Sequence, residues 1–188
     1  AYLKLAPFHP RFLLESVEGG ERLARYSFIG FGDCLEVRLD SSGLAIGSER
    51  RPVPTSSAEL LAALRYALTQ APKPLPEIAG VPLSGGLVGA AAYDLVRFFE
   101  RLPSRAQRTD AVPDAHYLAP RSLLVFDHLT RGVALLHDGS DSERRNLRRA
   151  VIAALRGPVP AARAGARFTP ATPSLSADEY MAGVRRVQ

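Results

Sequence analysis

One carboxylate and one hydroxyl lie in an otherwise apolar stretch near the start of the chain, where Glu15 and Ser16 follow Leu13 and Leu14. Burying such groups without a bonding partner is costly, so they indicate either a solvent-facing position or a binding role. The carboxylate could accept hydrogen bonds from the ammonium of a bound amino acid, and the hydroxyl could bind its polar end. Because side chains alternate along a strand, both would reach one ligand only at a sheet edge or through backbone atoms.

A structural role explains the same residues without a ligand. In that interpretation the stretch is an edge strand, and Glu15 faces solvent or pairs with Arg25. Charged side chains are common on sheet edges, so this alternative is the simpler one when the residues are considered alone. Both interpretations therefore stay open at this point.

Other arrangements that carry chemistry are missing from the sequence. The histidines, His9, His116, His128 and His137, stand too far apart for helical metal-ligand spacing, and Cys34 is the single cysteine. The glycine-rich stretch that follows residue 84 matches neither a dinucleotide-binding loop nor a phosphate-binding loop. A G-x-S-x-G nucleophile motif does not occur. We therefore expect no catalytic residue and no metal ligand in this chain.

The composition is that of a globular protein from a reducing compartment. With 188 residues, 46% of them hydrophobic, the chain can bury one sizeable core, and it has no apolar run long enough to cross a membrane. A lone cysteine forms no internal disulfide and no secretory signal opens the chain, so we expect a cytoplasmic protein. The chain starts at Ala1 rather than Met and stops at Gln188 within a predicted helix, so we expect both ends to be cut.

The positive charge comes almost entirely from arginine. The net charge is +5 and the sequence pI is about 9.8, a balance that invites comparison with nucleic-acid-binding proteins. Such binding needs basic residues clustered on one face, with aromatic side chains to stack on bases, and the clustering here is modest. We therefore favour a solvated helix face and expect no nucleic-acid partner. The best cluster consists of Arg144, Arg145, Arg148, Arg149 and Arg156.

Paired apolar runs around turn residues predict three hairpins. In the first, the runs are separated by Gly19-Gly20, which can adopt the positive φ angles of a tight turn. The other two show alternation and turn residues of the same kind, and a small-residue strand is expected in the glycine-rich stretch. The predicted strands lie within residues 11–31, 34–39, 44–46, 85–92, 122–128 and 132–137.

Three Ser-x-x-Glu pairs predict helix starts, at Ser56, Ser140 and Ser176. In each pair the two side chains can satisfy each other's free backbone N–H groups. The apolar stripe of the third helix has nothing to pack on, so we expect it to belong to a part of the protein beyond Gln188. The stripes are Leu60, Leu61, Leu64 and Leu68 in the first helix, Leu147, Val151 and Leu155 in the second, and Met181, Val184 and Val187 in the third.

The remaining segments complete the expected organisation. Residues 72–82 predict a stiff proline-rich connector, 93–102 an amphipathic helix, and 105–120 an irregular segment. Hairpins with scattered helices, and no βαβ series, predict an α+β fold in which mostly antiparallel sheets pack with a few helices. The predicted domains are a main domain at 1–157, a proline-rich linker at 158–175 and the start of a following lobe at 176–188.

Several segments resemble one known family. The stretch LLESVEGGERLARYSFIG at 13–30 is similar to the opening signature of component I of anthranilate synthase, the chorismate-using enzyme that begins tryptophan biosynthesis. Three more segments agree in order: AYLKLA at 1–6, SGGLVGAAAYDLVRFFERLP at 84–103 and LLVFDHLTRG at 123–132. The end of the chain resembles the junction where that family's large chorismate-binding lobe begins. The resemblance spans the chain but covers only the amino-terminal domain of a two-lobe enzyme.

The resemblance implies an activity that this chain does not carry alone. In that family, component I is a lyase that converts chorismate to anthranilate and pyruvate, with magnesium and with ammonia from a glutamine amidotransferase, component II. Chorismate, magnesium and the catalytic side chains belong to the carboxy-terminal lobe, so the fragment is expected to be inactive. Its expected partners are that lobe and the amidotransferase.

The resemblance also implies a regulatory site. The amino-terminal domain in that family packs on the catalytic lobe and helps to form the allosteric site for tryptophan, the feedback inhibitor. The matching residues here are Leu14, Glu15 and Ser16, with Tyr26 and Ser27 lining the same pocket. Ser16 is the first choice among them, and Tyr26 is the weakest because the family varies there.

Other functions stay open beside this one. Component I of aminodeoxychorismate synthase, in folate biosynthesis, shares the domain, although GGERLARYSFIG favours anthranilate synthase. A non-catalytic amino-acid-binding module would use the same fold. Ala90 and Ala91 depart from the family, where a bulkier aromatic residue is expected. A domain without its partner lobe should expose an apolar patch, so we also expect self-association.

Overall fold

The described strands form one sheet in which every pair is antiparallel. The structure is a computed structural model that describes residues 1–15, 25–103, 112–161, 165 and 168–188. The strands are β1 (Pro10–Glu15), β2 (Tyr26–Asp40), β3 (Gly43–Ile46), β4 (Glu49–Arg51), β5 (Val88–Ala91), β6 (Ala115–Asp127) and β7 (Gly132–His137). The helices are α1 (Ser57–Gln70), α2 (Asp141–Arg156) and α3 (Ala177–Val187), with 3-10 helices at Tyr2–Phe8 and Tyr93–Phe98. The predicted α+β fold is confirmed.

Two long strands, β2 and β6, pair with each other and run through the whole sheet. The first half of β2 also pairs with β1 and its second half with β3, beyond which lies β4. Strand β6 pairs first with β5 and then with β7. The three predicted hairpin pairings are therefore confirmed, although the Gly19-Gly20 turn lies outside the described residues.

A bulge in β2 exchanges the two faces of that strand. Phe31 pairs with Ser122 and Cys34 with Pro120, so β2 contains one more residue here than β6 does. Residues such as Val37 consequently lie on the same face of the sheet as Phe28. Pro120 has no backbone N–H to donate, and its place beside the bulge is where a strand tolerates this loss.

Helices cover both faces of the sheet and complete its core. Helix α1 covers the second half of β2, while α2 and the first 3-10 helix cover the opposite face of the first half. The α1 cluster contains Val37, Leu39, Leu44, Ile46, Leu60, Ala63, Ala67 and Ala115. The α2 cluster contains Leu5, Ile29, Phe31, Leu124 and Val151. A third cluster, Phe28, Leu123, Val125 and Leu136, lies under part of the 72–82 connector.

The three predicted helix starts are confirmed, with one difference in bonding. Ser140 and Ser176 each form the reciprocal bonds of a capping box. The Ser56 side chain accepts a bond from the Glu59 backbone N–H, but the Glu59 carboxylate accepts from the Thr55 N–H at 2.7 Å instead of from Ser56. The Glu59 carboxylate therefore bonds to the residue before the N-cap serine, and the capping box is incomplete.

The predicted stripe of α1 is partly wrong. Leu60 is buried, but Leu61 and Leu68 are 38% and 49% exposed, and the helix buries Ala63 and Ala67 in their place. Packing against the sheet rather than leucine content therefore decides which side of α1 faces the core.

The second 3-10 helix replaces the α-helix predicted over 93–102. It ends at Phe98, and within it Leu95 and Phe98 pack against the α1 cluster. Side chains three residues apart are aligned in a 3-10 helix, which explains why this packing selects the tighter turn.

The irregular segment predicted over 105–120 is wrong from residue 115 onward. Strand β6 begins there because Ala115 and Ala119 are buried and pair with Leu39 and Leu35 of β2. The polar residue between them, His116, bonds through Nε2 to the Glu36 carboxylate at 2.7 Å. Residues 105–111 lie outside the described residues.

The carboxy-terminal part of the chain lies outside the core. The described residues of 158–175 form neither helix nor strand, and α3 buries none of its residues. The domain boundaries stay a prediction. Within the described ranges, no helix is both long enough and apolar enough to span a bilayer.

Candidate binding site at the end of strand β1

The predicted binding residues lie where β1 ends and β2 begins. Across these antiparallel strands Glu15 pairs with Ser27, and Leu14 pairs with Phe28. Ser16, the first choice from the sequence, lies outside the described residues. Among the strands that the structure describes, β1 has only β2 as a neighbour, so Glu15 stands at a sheet edge. That is the position at which side chains from both faces can reach one ligand.

Strand geometry divides the described members of the set between two faces. Residues that pair directly across antiparallel strands project to the same side, so Glu15 and Ser27 share a face. Successive residues alternate, so Leu14 and Tyr26 share the opposite face. The structure therefore brings the predicted residues together as two pairs separated by the thickness of the sheet.

A cavity of about 350 Å³ opens on the face of Glu15 and Ser27. The first 3-10 helix, β1, β2 and the end of β6 form its walls. The polar groups among its lining residues are Tyr2, Lys4, Glu15, Ser27 and His128, and apolar lining comes from Leu13, Ile29 and Phe126. A mostly apolar cavity with a few polar groups is typical of small-molecule sites.

The inner polar pair of this cavity is Ser27 with His128. Their Oγ and Nε2 atoms are 2.7 Å apart, and Ser27 is only 4% exposed. The His128 backbone N–H also donates to the carbonyl of Arg25 at 2.8 Å, which fixes the imidazole beside β2. The buried hydroxyl therefore has a bonding partner, so it needs no ligand to be stable.

An ion pair beside the site joins the start of β2 to the end of β6. The guanidinium of Arg25 donates to the carboxylate of Asp127, with Nη2 2.8 Å from Oδ2. This bond lowers the pKa of Asp127 well below its ordinary range and raises the pKa of Arg25. The suggested pairing of Arg25 with Glu15 is thus wrong, because Arg25 is bonded to Asp127, and Glu15 is exposed.

Tyr26 lies on the other face and is held by the connector. Its hydroxyl donates to the carbonyl of Gly80 at 3.2 Å, and its ring centroid lies 6.0 Å from that of Phe28. Leu14, on the same face, is 39% exposed. This face therefore offers an apolar surface beside the sheet edge, with the Arg25 guanidinium 4.8 Å from the centre of the Tyr26 ring.

The resemblance implies magnesium only in the carboxy-terminal lobe, and the described residues of this chain do not fit a metal ion. No group of three histidine, cysteine, aspartate or glutamate side chains among them is placed to hold a metal ion. Three of the four histidines bond to other side chains: His116 to Glu36, His128 to Ser27 and His137 to Ser122.

Comparison with known proteins gives the family. The sequence model described as chorismate binding enzyme matches residues 9–188. This chain belongs to the chorismate binding enzyme family. It is 39% identical to anthranilate synthase component 1 of Thermus thermophilus, over 99% of the chain and 40% of that protein. It is 34% identical to the Streptomyces coelicolor protein of the same name, over 89% of the chain and 30% of that protein.

A solved structure of another protein is similar to this member of the chorismate binding enzyme family. Anthranilate synthase component I of Streptococcus pneumoniae matches with a TM-score of 0.59 and 21% identity, over 80% of this chain and 32% of that one. That likeness concerns the fold. The chain spans about 40% or less of the length of these relatives.

Sequence reasoning missed two lining residues of the cavity in this member of the family. Lys4 lies in the 3-10 helix just before β1, and His128 follows β6, which is far from β1 in the chain. The one available signal was the polar DH pair in LLVFDHLTRG, at the end of an apolar strand. Its spacing alone carried no information about Ser27.

Proposed function

We propose that the chain is the amino-terminal regulatory and structural part of component I of an anthranilate synthase. The support is family membership over 9–188 and the likeness to relatives named anthranilate synthase component 1. In this proposal the whole protein is a lyase of tryptophan biosynthesis that converts chorismate to anthranilate and pyruvate. It works in the cytoplasm with a glutamine amidotransferase that supplies ammonia.

The catalytic work belongs to the part of the protein outside this chain. The family relatives are much longer, and the described residues offer neither a metal-ligand group nor a catalytic set beyond the Ser27–His128 bond. We infer that the carboxy-terminal lobe binds chorismate and magnesium. Residues 1–188 alone are then inactive.

The regulatory part of the proposal concerns the edge at the end of β1. Tryptophan would bind around this edge, using Glu15 and Ser27 on one face, Leu14 and Tyr26 on the other, and Ser16 directly after the strand. The observation that carries this proposal is the exposed carboxylate of Glu15 at the mouth of a cavity with apolar walls.

Each group has a chemical task in this arrangement. The Glu15 carboxylate accepts hydrogen bonds from the ligand's ammonium, and hydroxyls near it bind the ligand's polar end. Apolar side chains such as Leu14 contact the indole ring. Inhibition then requires that tryptophan bind one arrangement of the two lobes more tightly than another, which typically amounts to about 5- to 150-fold in affinity.

Substitutions in the whole enzyme test this site. Ser16→Phe adds bulk where the ligand is expected, and Glu15→Gln removes the charge with little change of shape. We expect the tryptophan concentration for half-inhibition to rise about tenfold or more in each variant, while kcat for anthranilate formation stays within about twofold. The measurement is anthranilate fluorescence at increasing tryptophan concentration.

A matched control separates the site from a general effect of adding an aromatic ring. Ser174→Phe places the same bulk on an exposed residue of the linker and should leave inhibition unchanged. Unchanged inhibition curves for both Ser16→Phe and Glu15→Gln would refute the regulatory site. Formation of aminodeoxychorismate instead of anthranilate would assign the chain to the folate enzyme, and no turnover of chorismate would favour a non-catalytic binding module.

A further inference from the structure

Among the residues that the structure describes, the outer edge of β7 has a backbone partner only at His137. His137 exchanges two backbone bonds with Leu75 of the connector, at 2.9 and 3.1 Å, so the backbone groups of His137 point away from β6. Bonding direction alternates along an antiparallel strand, and β7 pairs with β6 without a shift of register. The N–H and C=O groups of Leu135 and Val133 therefore also point outward. Among the described strands, only β6 pairs with β7.

The other edges of the sheet are protected in ways that β7 is not. Strand β4 has only three residues, all charged, and β1 carries Pro10, Arg11 and Glu15. Strand β5 is four residues long. Strand β7 has the sequence GVALLH, without proline and without a charged residue before its terminal histidine. Natural proteins shorten, charge or cover edges to prevent strand addition, so this unprotected edge is unusual.

A groove runs beside this edge, between β7 and helix α2. Its volume is about 340 Å³, and its floor is apolar. Val133 is 54% exposed and Ile152 is 37% exposed, so the floor is accessible to another molecule. A strand added to β7 would place every second side chain into this groove, because side chains alternate between the two faces.

The rim of the groove is positively charged. Arg148 and Arg156 are among its lining residues and are exposed. Among the described residues, no carboxylate forms an ion pair with either of them. The acidic residues of α2 lie in its first turn. There Asp141 forms an ion pair with Arg144, and the Glu143 carboxylate accepts a hydrogen bond from the Ser140 hydroxyl. The groove therefore favours a negatively charged occupant.

We propose that the open edge of β7 and the adjoining groove form a docking site for an extended, acidic segment of a protein partner. The partner backbone continues the ladder that Leu75 begins, its apolar side chains lie against Val133 and Ile152, and its carboxylates face Arg148 and Arg156. Adding a strand to a free sheet edge in this way is a known mode of peptide recognition. The site is independent of the β1 edge.

A second copy of this chain is a poorer occupant than an acidic partner. Two copies joined through β7 around a twofold axis would bring two identical rows of arginine side chains together. Like charges that face each other across an interface disfavour association. The positive charge of the groove therefore favours an acidic segment over a second copy of the chain.

The test uses the whole protein and two short synthetic peptides in which valine and a charged residue take turns at every second position, with serine between them, so that both types face the groove. The charged residue is glutamate in one peptide and lysine in the other. Binding is followed by fluorescence anisotropy of a labelled peptide. We expect the glutamate peptide to bind at least about tenfold more tightly than the lysine peptide. Val133→Pro removes an outward N–H without removing a bond to β6, and should weaken glutamate-peptide binding about tenfold or more.

Charge reversal gives a second, independent variant in case the proline disturbs folding. Arg148→Glu should weaken binding of the glutamate peptide about tenfold, whereas Arg65→Glu, the same change on the exposed side of α1, should leave binding within about twofold. Circular dichroism verifies that each variant is folded.

Three results would overturn the proposal. The first is absence of binding by the glutamate peptide. The second is equal binding of a single-stranded oligonucleotide of similar charge, which would reduce the site to simple attraction by arginine. The third is a dimer, detected by analytical ultracentrifugation, that Val133→Pro dissociates, since a second copy would then occupy the edge.

Discussion

Helices α2 and α3 begin in the same way and have different surroundings. Each starts with a serine whose hydroxyl accepts from a glutamate N–H three residues later, and each glutamate side chain bonds back to the serine N–H. Helix α2 lies on the sheet and buries Val151, which is 2% exposed. Helix α3 has a comparable apolar stripe, but none of its residues is buried.

This difference separates two contributions to a helix. The capping box decides where the helix begins, and it acts through residues within one turn. Burial of the apolar stripe decides how much the helix contributes to the stability of the fold, because short helices are marginal without it. Helices α2 and α3 therefore share the same start signal but differ in how much they stabilise the fold.

The largest expected difference comes from truncating the apolar stripes. Val151→Ala in α2 removes two buried methyl groups and leaves a cavity, so we expect the free energy of unfolding to fall by about 2 kcal/mol. Val184→Ala in α3 should change it by less than about 0.5 kcal/mol. Urea denaturation of both variants measures this. An equal loss would mean that α3 is buried in solution, by self-association or by another contact.

Removing the cap serines should give a smaller difference. Ser140→Ala leaves the backbone N–H of Glu143 without its partner, and we expect a loss of about 1 kcal/mol in the free energy of unfolding. Ser176→Ala should reduce helix content locally without moving the midpoint of global unfolding. Circular dichroism at a helix wavelength, recorded together with tyrosine fluorescence, distinguishes local from global effects. A shifted global midpoint for Ser176→Ala would contradict the comparison.

The smallest expected difference concerns how the free energy of unfolding changes at acidic pH. Bonds from the Ser140 hydroxyl and backbone lower the pKa of Glu143, and bonds from Ser176 lower the pKa of Glu179 in the same way. A carboxyl whose pKa is lower in the folded state stabilises it above the unfolded pKa, and this contribution is lost as pH falls through the folded pKa. Glu143→Gln should therefore flatten the pH dependence of unfolding below about pH 5, whereas Glu179→Gln should not.

A series of urea titrations between neutral pH and about pH 3 tests the last prediction. The Glu143→Gln and Glu179→Gln chains serve as each other's control, because the substitution and the local geometry are the same. Identical pH profiles for the two variants would show that α2 and α3 are coupled equally to global unfolding.

The parts of the fold that depend on short-range chemistry were predictable from the sequence. Capping serines marked all three helix starts, and turn residues marked the hairpin partners, because these signals act within a few residues. The α1 stripe was not predictable from leucine spacing, since the side of the helix that packs in the core contains Ala63 and Ala67 instead of Leu61 and Leu68. The start of β6 was hidden because its pairing with β2 is set by distant residues such as Leu39.

The candidate site likewise has one feature that the sequence predicted and one that it did not. Strand alternation correctly indicated that neighbouring residues of β1 face opposite sides. That they meet one ligand at the sheet edge stays a prediction. The partner of Ser27 could not be foreseen, because His128 reaches it through the pairing of β2 with β6. A polar group at a strand end has no recognisable spacing to a hydroxyl in another strand.

The central pairing of β2 with β6 has a consequence for how fast the chain folds. It joins residues far apart in sequence: Arg25 bonds to Asp127 across 102 positions, and Glu36 bonds to His116 across 80. A chain must close such long loops before these contacts stabilise anything, and domains dominated by distant antiparallel pairs fold in roughly milliseconds to seconds. During that interval the local hairpin of β6 and β7 has not yet paired with β2, so the edge of β6 that receives β2 is exposed.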